Sequence, residues 1–229
     1  MAGRTAFVAS AVAILLCHAH VASAQRAEAS FNIGYSASEG VTSSDRPLLG
    51  QQYDTIAVDS GASLNFTFGY FFNDRMEGEF LFARQNSRFQ ADGPGGKLPI
   101  SELAVYNYMF NFVYNWGERD GRVRPYIFGG LGGTNYSFSD LLLPLPTPST
   151  SSDQIASETR FSTNWGGGVK FYPTPSVGIK AGVRWTPTYI KSDAAGFWCD
   201  PFYGCWQLVD NDYANQFETA VGVTFRFEE

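Results

Sequence analysis

The 229-residue sequence predicts an all-β chain, an eight-stranded antiparallel up-and-down barrel that crosses a membrane. Three observations predict it. Apolar residues recur with period two, and no segment sustains a period of 3.6. The connections between alternating segments are long and short by turns. Aromatic residues are abundant, 20 Phe, 12 Tyr and 5 Trp, while only 17% of residues are charged; such a composition marks a β-rich chain, not a disordered or coiled-coil one.

Residues 1–24 precede the barrel. Arg4 is the only charged side chain among them, an apolar run extends from Ala6 to Cys17, and Ala22-Ser23-Ala24 is the small-x-small pattern of signal peptidase. Cleavage is expected between Ala24 and Gln25, so that residues 1–24 are a signal peptide and 25–229 the barrel domain. The run falls short of the roughly 20 residues a spanning helix needs, which weakens the alternative of a retained anchor. Leu16 before Cys17 argues against a lipoprotein.

Eight segments carry the alternation: about 28–37, 60–72, 76–89, 101–116, 123–138, 158–172, 176–187 and 213–227. In the second, Leu64, Phe66, Phe68 and Tyr70 share one face and Asn65, Thr67 and Gly69 the other. The third carries Glu77 and Glu79. In the fourth, Ala104, Tyr106, Tyr108, Phe110, Phe112, Tyr114 and Trp116 oppose Asn107, Met109, Asn111, Val113 and Asn115. The fifth is ambiguous, since Gly129, Gly130, Gly132 and Gly133 occupy both faces. The sixth carries Lys170. The seventh sets Val177, Ile179, Ala181, Val183 and Trp185 against Gly178, Lys180, Gly182 and Arg184. The eighth sets Phe217, Thr219, Val221, Val223, Phe225 and Phe227 against Gln216, Glu218, Ala220, Gly222, Thr224 and Arg226.

Residues 38–59, 90–100, 139–157 and 188–212 are the long connections; 73–75, 117–122 and 173–175 are the short ones. A membrane barrel has short turns on its periplasmic side and long loops outside. A soluble eight-stranded barrel has no reason to alternate its loops, and it would turn its apolar face inward. Two features favour lipid. Tyr70, Phe71 and Phe72, Tyr114 and Trp116, Phe171 and Tyr172, and Phe225 and Phe227 all end strands on the short-turn side, as one interfacial girdle would. Phe89, Tyr136, Phe138, Phe161 and Trp185 are candidates for the opposite girdle. The polar face carries charges of both signs: Glu77, Glu79, Lys170, Lys180, Arg184, Glu218 and Arg226. An eight-stranded barrel is only wide enough for side chains to fill it, so charges inside must pair. Glu77 and Glu79 are expected to meet Lys180 or Arg184 across the lumen. On the alternative reading the charges face solvent on an ordinary sheet.

Little catalytic chemistry is open to this chain. Both histidines, His18 and His20, lie in the leader, and the net charge of −6 gives no electrostatic case for nucleic acid. Glu77 and Glu79 among lysines and arginines read as ion pairs before they read as an acid–base couple. Asp210-Asn211-Asp212 lacks the ligand spacing of a calcium loop. No nucleotide motif, metal set or cofactor site is expected. Beyond the leader only Cys199 and Cys205 remain, and an even pair in an exported chain reads as a disulfide.

The stretch VRPYIFGGLGG from Val123 and the stretch NWGGGVKFYPTPSVGIKAGVRW from Asn164 resemble the outer-membrane β-barrel domain of OmpA-like and opacity-type proteins. The resemblance covers essentially the whole chain after the leader. It implies a bacterial outer membrane, lipid and lipopolysaccharide as surroundings, and the barrel-assembly machinery as a partner in biogenesis. Gly222, Phe225 and Phe227 are similar to the signal that machinery recognises, although Glu228 and Glu229 follow and Ala220 stands where a polar residue is usual. Members serve as structural proteins, adhesins, small pores and occasionally enzymes; the enzymes call for a histidine that this barrel domain lacks. No peptidoglycan-binding domain is expected after the barrel.

The expected function is a non-enzymatic envelope protein, structural or acting through its outer loops; the alternative is a narrow pore or passive carrier for small or apolar solutes. The fourth long loop is the most individual segment. Phe197, Trp198, Phe202, Tyr203 and Trp206 cluster around the two cysteines. They either pack on one another or present an aromatic surface to a glycan or protein ligand.

Overall fold

The computed structural model describes residues 26–39, 41–42, 55–93, 96–118, 120–141, 157–189, 198–200, 204–206 and 213–227. Side chains that alternate in character require an extended backbone with two unlike faces. Eight long strands result: β1 (Ala27–Ser38), β2 (Gly61–Phe71), β3 (Met76–Gly93), β4 (Gly96–Asn115), β5 (Val123–Leu141), β6 (Glu158–Phe171), β7 (Val177–Tyr189) and β8 (Tyr213–Phe227). Each pairs antiparallel with its neighbours in sequence, and β1 pairs with β8 from Ala27↔Phe227 to Ser38↔Gln216, which closes the ring. Closure is what lets strands cross a bilayer, because it leaves no row of unpaired backbone groups.

The register fixes the shape of the barrel. From Pro125 the paired positions run through Val169, Ala181, Val221, Ile33, Leu64, Arg84 and Tyr106 and return to β5 at Asn135. One circuit therefore climbs ten residues. With eight strands, that stagger demands a tilt of about 40° and a radius of about 8 Å, a width that inward side chains fill.

The faces are inverted relative to a soluble barrel. Ile33 and Leu64 are 64% and 63% exposed on the outer wall, whereas Arg124 and Lys170 are fully buried inside. Such an arrangement belongs to a wall that meets lipid. β5 loses its ambiguity. Arg124, Tyr126 and Thr134 face inward, while Val123, Ile127 and Leu131 face out. Gly129 lies on the outside beneath its register partner Trp165, and Gly130 faces inward onto Asn111.

The short turns are built by local hydrogen bonds. In the β2–β3 turn, Asn73 Oδ1 accepts from the amides of Arg75 and Met76, both at 2.9 Å. In the β6–β7 turn, Thr174 Oγ1 accepts from the amide of Val177 at 3.1 Å. Gly117 after β4 has φ of 88°, a conformation that a β-carbon disfavours.

Three expectations are corrected. Tyr70, Phe72, Trp116, Phe171, Phe225 and Phe227 are exposed and form the girdle on the short-turn side, but Phe71 and Tyr172 point into the barrel and are buried. On the other side Phe161 and Trp185 face out, joined by Tyr35, Tyr189 and Tyr213, while Phe89, Tyr136 and Phe138 face inward. Residues 90–100 are not an open loop. β3 and β4 continue as a ladder to Gly93↔Gly96, with a register shift between Phe89 and Gln90, and Thr55–Val58 adds alongside Phe89–Asp92. The strands protrude because pairing and an apolar inner face continue beyond the outer girdle.

Candidate functional site

The inward residues of the eight strands form stacked layers, and these layers are the candidate site. At the short-turn end lies an ionic floor. Lys170 Nζ, carried in by β6, sits 2.6 Å from Glu28 Oε1 of β1 and 2.9 Å from Glu77 Oε2 of β3. Asn115 Nδ2 donates to the same Glu77 oxygen at 3.1 Å, and the Tyr172 hydroxyl donates to Glu28 Oε2 at 2.6 Å. Arg226 stacks over the Tyr172 ring at 3.7 Å. Arg124 donates to the backbone carbonyl of Asp74 at 2.5 Å and lies 5.3 Å from the Phe71 ring, so it ties the β2–β3 turn to the floor.

A second ionic layer lies above. Lys180 of β7 pairs with Glu79 of β3, and Asn111 Nδ2 donates to Glu79 Oε1 at 3.1 Å. Arg184 donates to Glu218 Oε2 at 2.5 Å, and Asn65 donates to the other Glu218 oxygen. Tyr126 lies between the layers. A β-carbon built on Gly168 or Gly182 would stand 2.8 or 2.6 Å from the Tyr126 hydroxyl, so these two glycines make room for the ring. Lys170 and Lys180 lie 5.6 and 5.3 Å from its centroid. The space left among Asn32, Glu79, Tyr126, Lys180, Arg184 and Glu218 is about 40 Å³, room for one or two waters.

Next comes a belt of hydroxyls and amides. Thr134 Oγ1 donates to Asn107 Oδ1 at 2.7 Å, Ser162 Oγ donates to Thr188 Oγ1 at 2.9 Å, and Asn164 Nδ2 donates to Asn111 Oδ1 at 2.8 Å. The outermost layer is apolar: Phe89, Ala91, Ile100, Leu103, Val105, Tyr136 and Phe138, with Val58 and Leu98 packed against it.

Of the charged residues singled out in sequence, all seven are buried in the lumen. The partners differ in two respects: Arg184 meets Glu218, its register partner on β8, and Glu77 takes Lys170. Proximity of cross-strand neighbours on one face decides the Arg184–Glu218 pairing, whereas Lys170 reaches Glu77 across the ring. Sequence reasoning missed Glu28, Arg124, Tyr126 and Tyr172. Glu28 shares the parity of Ser30 and Asn32, which was a usable signal; the parity of Arg124 and Tyr126 was hidden by the glycines of β5.

Gly222 faces the lumen beside Asn32, and Phe225 and Phe227 face out at the end of β8. Trp198–Asp200 and Gly204–Trp206 form a small antiparallel ladder that sets Cys199 opposite Cys205 and Trp198 opposite Trp206. Phe197, Phe202, Tyr203, Asp210-Asn211-Asp212 and the expected cleavage site at Ala24 and Gln25 lie outside the described residues.

Comparison with known proteins agrees with this architecture. A family model described as outer membrane protein beta-barrel domain matches residues 9–227. Outer membrane protein W of Vibrio cholerae is 33% identical over 117 residues, which cover 44% of this chain and 52% of that protein. The chain thus spans about half the length of this curated relative. The crystal structure of OprG from Pseudomonas aeruginosa aligns with a TM-score of 0.56 at 17% identity, covering 90% of this chain and 98% of that one. Neisserial surface protein A aligns with a TM-score of 0.55 at 18% identity, covering 88% and 97%.

Proposed function

The chain belongs to the outer membrane protein beta-barrel domain family, and from that premise we propose that it is a non-enzymatic integral outer-membrane protein with a sealed lumen, whose role is carried by its outward-facing end. One observation carries this reading. Two layers of ion pairs, Lys170 with Glu28 and Glu77, then Lys180 with Glu79 and Arg184 with Glu218, cross the interior, and the space among the residues of the second layer is only about 40 Å³. A hydrated ion has no continuous aqueous path through such a layer. Cleavage after Ala24 would deliver the chain to the periplasm for assembly, with the short turns remaining there and the long connections outside.

The test is planar-bilayer recording on the purified chain. A sealed lumen yields no steady conductance; reproducible open steps from the wild type would refute the reading.

A second reading rests on a separate observation. The apolar layer of Phe89, Ile100, Leu103, Val105, Tyr136 and Phe138 stands above the plug, at the end that faces outward. It suits an apolar solute that enters from outside and does not travel the whole axis. Saturable uptake of an alkane-like probe into vesicles that hold the protein, lost in Val105→Asp, favours this reading over a purely structural role.

A further inference from the structure

We propose that the outer wall of β3 holds a phosphorylated acyl glycolipid of the outer leaflet, with the phosphate on Arg84. Along this wall the outward residues run Phe80, Phe82, Arg84, Asn86 and Arg88. Arg84 is exposed, and its register partners are Leu64 and Tyr106. Its guanidinium lies 5.6 Å from the centre of the Tyr106 ring. Between the two aromatic girdles no other charged side chain among the described residues faces outward.

A cation on the lipid face is disfavoured near the bilayer midplane and tolerated only toward the interface. An arginine there has most to gain from a phosphate, which its planar fork meets with two hydrogen bonds. The surroundings fit the rest of the molecule. Below Arg84 a groove of about 770 Å³ is lined by Ile33, Leu64 and Val221, a wall for an acyl chain. Above it a depression of about 620 Å³ is lined by Ser60, Asn86, Ser87 and Arg88, with Asp59 and Glu102, a polar seat for a sugar. Arg84 and Asn86 line both, so the site passes from apolar to polar across the residue that meets the phosphate. Glu102 is the register partner of Arg88 and offsets its charge, whereas Arg84 has no acid opposite it. Arg84 is therefore the principal contact and Arg88 a secondary one. The assignment rests on the orientation adopted above, with the short turns periplasmic.

The experiment measures binding of fluorescent lipid A, and of the same lipid dephosphorylated, to the purified chain in neutral maltoside micelles. Wild type should prefer the phosphorylated lipid by about tenfold, the gain expected of one charge-assisted contact. Arg84→Gln should abolish the preference, and Arg88→Gln should weaken it less. Inorganic phosphate at millimolar concentration should not compete; if it does, the site is one for free anions and the lipid assignment is overturned. Equal binding of the two lipids to wild type overturns the proposal without any variant. A preference that survives in Arg84→Gln overturns it as well. Protease that reaches the long connections only after the outer membrane is breached sinks the barrel orientation itself, which is a distinguishable failure.

Discussion

Lys170 Nζ lies 2.9 Å from Glu77 Oε2 in the barrel floor, although 93 positions separate the two residues in sequence. Neither side chain retains access to solvent, and Glu28 shares the same ammonium at 2.6 Å. Taking these ions out of water costs several kcal/mol each, and the cost is offset only while all three are present.

Lys170→Met should therefore destabilise the barrel by about 3–5 kcal/mol, because two buried carboxylates lose their counter-ion. Urea unfolding in detergent micelles, followed by tryptophan fluorescence, measures it. A loss below about 1 kcal/mol, the range of an exposed pair, would mean that water reaches the floor.

The second ionic layer makes a prediction about coupling. Glu79→Gln and Lys180→Met should be non-additive by about 0.5–3 kcal/mol, as direct partners are. Glu79→Gln with Arg184→Met should show weaker coupling than that pair, since Arg184 bonds Glu218 instead. The same unfolding assay on two double-mutant cycles decides it; equal couplings would undo the assignment of partners.

Packing around Tyr126 supplies a third. Gly182→Ala should cost about 1–3 kcal/mol, the usual penalty of overfilling. Tyr126→Phe should recover part of that loss, because the hydroxyl is the atom 2.6 Å from the new β-carbon. Gly168→Ala should not be rescued in this way, as its β-carbon would stand 2.0 Å from the backbone oxygen of Ala181. Melting followed by heat-modifiable gel migration reads all three.

The pairing of Cys199 with Cys205 across the small outer ladder leads to a covalent prediction. Protein that is denatured without reductant should leave the peptide containing both cysteines unlabelled by maleimide, and reduction should expose two thiols. Labelling before reduction would show that the residues are free.

Some of this was legible in the chain as written. The alternation at Leu64–Tyr70 and Ala104–Trp116 placed the lipid face, because period two leaves no freedom once a strand is assumed. The alternation of long and short connections foretold the topology. The same parity also contained what was misread: Phe89 shares its phase with Glu77 and Glu79, and Tyr136 with Arg124, so each belongs inside with them. Position near a strand end suggested a girdle, but phase decides which way a side chain points.

The sequence by itself determined the number of strands, their two faces and the buried fate of the charges, because all three follow from periodicity along one strand. Only the tertiary structure decided who meets whom. Arg184 finds Glu218 through the register of β7 on β8, and Lys170 gathers Glu28 and Glu77 across the ring through a ten-residue stagger that no single strand encodes. The same holds for the extension of β3 and β4 past the outer girdle, where pairing persists because Phe89, Ile100 and Leu103 have an apolar layer to enter. Pairing across a closed barrel depends on stagger and tilt together, and those are properties of eight strands at once.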